Sequence, residues 1–111
     1  MEMKKAVVTG IGLISVLGDN LTDYWNGLIN GKSGISKITL FDASPFPTQI
    51  GGEIPDFVAA NYIDKKEARR MSRSAQMALS AAKLAFEDAG LTADDIKDPE
   101  RAGVVYGSAI G

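Results

Sequence analysis

The chain has 111 residues, 45% of them hydrophobic and 23% charged, with a formal net charge of −2 and neither histidine nor cysteine. This is the composition of one ordinary globular domain, and it argues against disorder, nucleic-acid binding and anionic membrane surfaces. The missing side chains remove disulfides, thiolate or imidazole metal sites, any serine–histidine triad and any cysteine nucleophile; this leaves only hard, oxygen-liganded ions open, and no metal and no cofactor is expected.

Met1-Glu2-Met3-Lys4-Lys5 leads directly into a strand-like run rather than a secretory signal, and no apolar stretch approaches a membrane span, so a cytoplasmic location is expected. Ala6-Val7-Val8-Thr9 lacks alternation and reads as an interior strand ending in a tight turn at Gly10-Ile11-Gly12. These glycines fail as a dinucleotide fingerprint, because Ser15 stands where the third glycine of G-x-G-x-x-G belongs.

Leu21, Tyr24, Trp25, Leu28 and Ile29 have helical spacing, with Asn20 as N-cap and Gly31 as the stop, so an amphipathic helix is expected over 21–30. Residues 32–62 have no sustained helical period and hold all but one of the four prolines, with one extended candidate at Gln49–Ile54. So long a loop is functional or packs against something larger.

Asp64-Lys65-Lys66-Glu67 has capping-box spacing and opens a single long helix that ends at Gly90. Met71, Ala75, Ala78, Leu79, Ala82 and Phe86 form its apolar stripe, and its many alanines allow close approach by a neighbour. A short helical turn capped by Thr92 follows, with Asp94 and Asp95 in a structural role. Ala102–Tyr106 is a second buried-strand candidate, followed by a glycine-flanked turn, Gly107–Gly111.

Lys66, Arg69, Arg70 and Arg73 share one face of that long helix, with Lys65 beside them. Cations in a first helical turn oppose the macrodipole, so two readings stand: a solvated face, or a docking patch for an acidic, carboxylate- or phosphate-rich partner. Ser80-Ala81-Ala82-Lys83 matches S-x-x-K in letters, without an accompanying motif. Interior-type strands need neighbours and cover on both faces, so this inventory points to part of something larger, against the alternative of a small α/β domain with a missed strand.

The run Lys5 to Ser15, Trp25 with Gly31-Lys32-Ser33-Gly34-Ile35, Phe41-Asp42, Phe46 to Glu53, Lys66 to Met71, Ala89-Gly90-Leu91 and Gly107 to Gly111 together resemble the start of the β-ketoacyl-(acyl carrier protein) synthases. The likeness is to the elongating type II enzymes of fatty acid synthesis and runs through the whole chain. It implies an α/β fold, here the incomplete N-terminal portion of a thiolase-like fold whose full form is layered α/β/α/β/α. Residues 1–111 would then be one segment of the synthase N-terminal domain.

The resemblance further implies a homodimeric acyltransferase that condenses a malonyl thioester with an acyl-enzyme, using a cysteine and two histidines located outside this chain, which alone would be inactive. It implies that Lys65, Lys66, Arg69 and Arg70 dock acyl carrier protein and that Ile110 borders the acyl pocket. Ala109 departs from the glycine common at that position in relatives. A polyketide-type ketosynthase shares much of the pattern, and a non-catalytic module docking an acidic carrier is a further alternative.

Overall fold

The computed structural model describes residues 3–110. Helix α1 spans Leu21–Ile29. The Asn20 side-chain oxygen accepts the Asp23 N–H at 2.9 Å, and Gly31 takes the left-handed conformation (φ +64°) that ends the helix. The helix and both of its expected caps are present.

Strands β1 (Ile35–Lys37) and β2 (Ile50–Gly52) pair antiparallel, with Ile35 opposite Gly52 and Lys37 opposite Ile50. The extended candidate near Gln49 is therefore a strand, and its partner at 35–37 adds to what the sequence pattern predicts. In that partner Ile35 is followed by Ser36 and Lys37, a stretch too short for any period to register. Glu53 closes the hairpin: one carboxylate oxygen accepts the Thr39 N–H and hydroxyl at 2.8 and 2.9 Å, and the other accepts the Leu40 N–H at 3.1 Å. These bonds, that from the Thr39 backbone foremost, hold the Glu53 carboxyl below its ordinary pKa.

A 3-10 turn at Ala59–Asn61 leads into α2, Lys65–Ala68, a single turn. Helix α3 then runs from Arg73 to Ala89 and ends at Gly90 in the left-handed region (φ +65°). The single helix expected from Asp64 to Gly90 is thus two helices, because Ser72 leaves the helical region (ψ 159°) and caps α3, its hydroxyl accepting the Ala75 N–H at 3.3 Å. The turn capped by Thr92 is present as a 3-10 turn at Ala93–Asp95, where the Asp95 carboxylate accepts the Thr92 N–H at 2.7 Å and its hydroxyl at 2.9 Å. That confirms a structural role for Asp95.

Neither interior-strand candidate forms a ladder. Residues 6–9 and 102–106 have no strand partner among the described residues, and Val7, Val8, Val104 and Val105 are 79%, 80%, 88% and 103% exposed. A strand is a pairing, and neither run pairs with the β1–β2 hairpin, the one sheet among the described residues. The turn expected at 107–111 shows a single bend at Ala109, and Gly111 lies outside the described residues.

Gly10 and Gly12 serve a purpose other than the expected tight turn. Neither has positive φ; both lie against α3. A Cβ on Gly10 would stand 2.6 Å from the Ala89 Cβ, and one on Gly12 would stand 2.8 Å from the Leu84 carbonyl carbon while running into the Ala81 oxygen and the Ala85 nitrogen. The Ile11 N–H donates to the Asp88 carboxylate at 2.9 Å on the same side. The close approach that the alanines promise is made by this backbone segment.

The buried set is small. Ala43, Ala59 and Ala68 are its apolar members, and Ser80, inside α3, is the one fully buried side chain among the described residues. Leu79 and Phe86, expected in the apolar stripe, are exposed. The accessible surface is 9139 Å², against about 5,900 Å² for a compact monomer of this mass. The radius of gyration is 17.2 Å, against about 13 Å for a compact domain of this length.

Candidate functional site

The basic cluster is built on α2 and its exit. The Asp64 carboxylate caps the turn by accepting the Lys66 N–H at 2.8 Å and the Glu67 N–H at 3.1 Å. The return bond from Glu67 that would complete a capping box is not among the hydrogen bonds of the described residues, so half of the expected box forms. Beyond Ala68 the backbone tightens into three-residue turns, with the Arg70 N–H on the Glu67 carbonyl (3.0 Å) and the Met71 N–H on the Ala68 carbonyl (3.1 Å).

A helix end leaves its last carbonyls without intrahelical donors. The Gln76 side-chain amide reaches back from α3 and donates to the Ala68 carbonyl at 2.8 Å and, more weakly, to the Met71 carbonyl at 3.4 Å. Breaking the helix is therefore locally satisfied, and it removes the premise of one continuous basic face. With only four residues in α2, the dipole penalty expected for its cations is also small.

Lys65, Lys66, Arg69 and Arg70 are all exposed. Among the described residues the one salt bridge is Lys83 with Glu87 at 3.9 Å, so these four cations have no carboxylate partner there. Arg73 is different. Its guanidinium donates to the Ile54 carbonyl and sits 5.4 Å from the centre of the Phe57 ring. The structure thus separates five residues that are equivalent in the sequence pattern: four cations on α2 and its exit with no carboxylate partner among the described residues, and a fifth engaged with the preceding loop.

That loop is itself tied down. Phe57 stacks on Tyr62 with ring centres 6.0 Å apart and planes within 13°. The Tyr62 hydroxyl donates to the Asp19 carboxylate at 2.6 Å, which pushes its pKa up to about 12, and Lys83 donates to the Tyr62 carbonyl at 3.0 Å. Phe57, Tyr62 and Gln76 carry no signal in the sequence, because their partners are set by tertiary contact and no motif spacing marks them.

The other candidates resolve as follows. Ile110 is 94% exposed. The Ser80 hydroxyl donates to the Gln76 carbonyl at 2.8 Å while Lys83 is engaged with Tyr62 and Glu87, so the S-x-x-K letters do not assemble a dyad. No group of three or more carboxylates is placed to hold a cation among the described residues, and no described helix is long and apolar enough to cross a membrane. A cleft between 14–19 and 54–62 is lined by Ile14, Asp19, Phe57 and Tyr62, and the Tyr62–Asp19 bond already satisfies its tyrosine hydroxyl.

What remains is an incomplete α/β unit with one cationic face and large uncovered apolar surface. The chain belongs to the β-ketoacyl synthase family: residues 3–111 match the family model described as "Beta-ketoacyl synthase, N-terminal domain". It is 45% identical over its whole length to the 3-oxoacyl-[acyl-carrier-protein] synthase 2 of Coxiella burnetii, covering 27% of that protein. It is 44% identical over its whole length to the synthase of the same name from Synechocystis sp., covering 26% of it. It is 43% identical over 97% of its length to the chloroplastic 3-oxoacyl-[acyl-carrier-protein] synthase I of Arabidopsis thaliana, covering 23%.

Among solved structures, the ishigamide ketosynthase/chain length factor superposes with a TM-score of 0.73 at 42% identity, over 80% of this chain and 22% of that one. The chain therefore spans about a quarter of the length of the relatives it matches. Its fold class is that of a thiolase-like ketosynthase N-terminal domain, of which the described residues form an incomplete α/β portion.

Proposed function

We propose that residues 1–111 are the N-terminal segment of a 3-oxoacyl-(acyl carrier protein) synthase, a cytoplasmic, homodimeric acyltransferase of fatty acid synthesis, and that Lys65, Lys66, Arg69 and Arg70 dock its acyl carrier protein. The observation that carries the reading is the match over the full chain to relatives named for that activity. The four exposed cations, without a carboxylate partner among the described residues, supply its physical content.

In this reading the reacting thiol and the proton-handling imidazoles come from outside the chain, which contains neither cysteine nor histidine. The thiol takes the acyl group from its carrier thioester, a malonyl thioester loses carbon dioxide, and the resulting carbanion attacks the acyl thioester. The thiolate leaves, and a β-ketoacyl carrier two carbons longer is released. The part played here is recognition: an acidic carrier is steered by long-range attraction and then met by charge-assisted hydrogen bonds from flexible side chains. Ile110 is assigned to the wall of the acyl pocket, with the remainder of that pocket supplied by segments not in this chain.

Reversing Lys66, Arg69 and Arg70 to glutamate in the full-length protein tests the docking assignment. Affinity for acyl carrier protein should fall by about three- to 150-fold, since exposed pairs contribute about 0.2–1 kcal/mol each, and the loss should shrink as salt screens the remaining field. Unchanged affinity removes the assignment. A polyketide-type condensing role is the second reading, favoured by the likeness to the ishigamide ketosynthase/chain length factor. Product analysis separates the two: one elongation per carrier with full reduction available downstream supports fatty acid synthesis, and accumulation of multiply keto-bearing chains supports the alternative.

A further inference from the structure

We infer that Arg73 does not dock the partner but positions the residues that do, acting with Phe57 and Gln76 as a clamp that fixes the basic turn from α3. The inference rests on the docking reading above.

The geometry points this way because α2 is too short to hold itself. A single helical turn fixes several residues for one or two hydrogen bonds, so its orientation must come from outside. Two ties from the first turn of α3 provide it. At the entrance to α2, the Arg73 guanidinium holds both the Ile54 carbonyl and the face of Phe57. Phe57 stacks on Tyr62, two residues before the Asp64 cap, and Ala59 in the intervening 3-10 turn is buried. At the exit, the Gln76 amide donates to the Ala68 carbonyl, with Ala68 itself buried.

Lys65, Lys66, Arg69 and Arg70 lie between or just beyond those two ties, and none of them has a carboxylate partner among the described residues. Long cationic side chains lose rotamer freedom on binding, so a backbone already held in place lowers the cost of presenting four of them together. Arg73 suits the tie for reasons of shape. Its planar guanidinium can lie over a ring while its in-plane N–H groups reach a carbonyl, which a lysine ammonium cannot do at once.

The test uses the full-length protein, with acyl carrier protein titrated over a range of salt concentrations. Arg73→Lys keeps the charge and loses the planar contact; Phe57→Leu removes the ring and changes no charge. Each should weaken binding by about two- to fivefold while leaving the slope of log affinity against log salt unchanged, whereas Arg69→Gln should lower that slope. The Arg73→Lys and Phe57→Leu losses should also fail to add in the double variant, as expected of residues acting through one contact. Gln76→Met should weaken binding in the same salt-independent way.

If Arg73→Lys retains full affinity, or if Arg73→Gln lowers the salt slope as Arg69→Gln does, then Arg73 is a direct docking charge and the inference fails. If Phe57→Leu and Arg73→Lys add fully, they do not form one clamp and it also fails. Should the triple reversal of Lys66, Arg69 and Arg70 leave binding intact, it is the docking reading that has failed.

Discussion

Strand β2 and the run at Val104-Val105 make an instructive pair. Two of the three residues of β2 are glycines, the poorest strand formers, yet it pairs with β1. The valines have strong strand preference and pair with nothing described. What β2 has is a partner reached through a single loop and a carboxylate, Glu53, that ties the strand's end to that loop at Thr39 and Leu40. Strand formation is decided by the second strand and by what closes the ladder, and residue preference only ranks the candidates.

Hydrogen exchange on the chain should separate the two kinds of segment widely. Amides of Val7, Val8, Val104 and Val105 should exchange at rates close to those of an unstructured peptide, while the interior of α3 is slower by orders of magnitude. Protection of the valines comparable with α3 would mean that they have found a partner after all. In the full-length protein the same valines should become protected, because uncovered strand-forming runs of this kind need a sheet.

Gly12→Val places a branched side chain against the backbone of α3, and it should destabilise the full-length protein by about 1–3 kcal/mol or more, read by denaturant unfolding. A stability equal to the unchanged protein would show that residues 10–12 do not rest on α3.

The smallest effect concerns the middle region. Tyr62 ionises only near pH 12 because its hydroxyl donates to Asp19. Since its pKa in the folded chain is raised, the bond's contribution is complete below the ordinary tyrosine value of 10.0 and is lost as pH rises through about 12. Asp19→Asn should bring the phenolate transition, followed by ultraviolet difference absorbance, back toward 10.0, with a stability loss of about 0.5–1.5 kcal/mol near neutral pH. No movement of that transition would refute the bond.

Features encoded within one turn of the chain are legible in the amino-acid sequence. Asn20 and Gly31 bound α1, Gly90 ends α3, and Thr92 caps the turn that follows. Features that depend on a second segment are not. The break between α2 and α3 is the clearest case: Ser72 is a good cap by residue type, but the helix formers on both sides of it read equally well as one helix. The Gln76 amide that satisfies the broken end is invisible to any spacing rule. The basic residues can be found in the sequence, but not the division of Arg73 from the other four, because that division is made by Phe57 and the Ile54 carbonyl.

The contact between Gly10, Gly12 and α3 has a consequence for how the chain can vary. At positions 10 and 12 any side chain would overlap helix backbone, so the usable alphabet there shrinks to a single letter, and Ala89, which faces Gly10, has room for little more. A library that randomises these positions should return glycine at 10 and 12 almost regardless of what else it selects. Positions 7, 8, 104 and 105 should instead return whatever suits the surface eventually laid over them, and their tolerated residues would trace the outline of that surface.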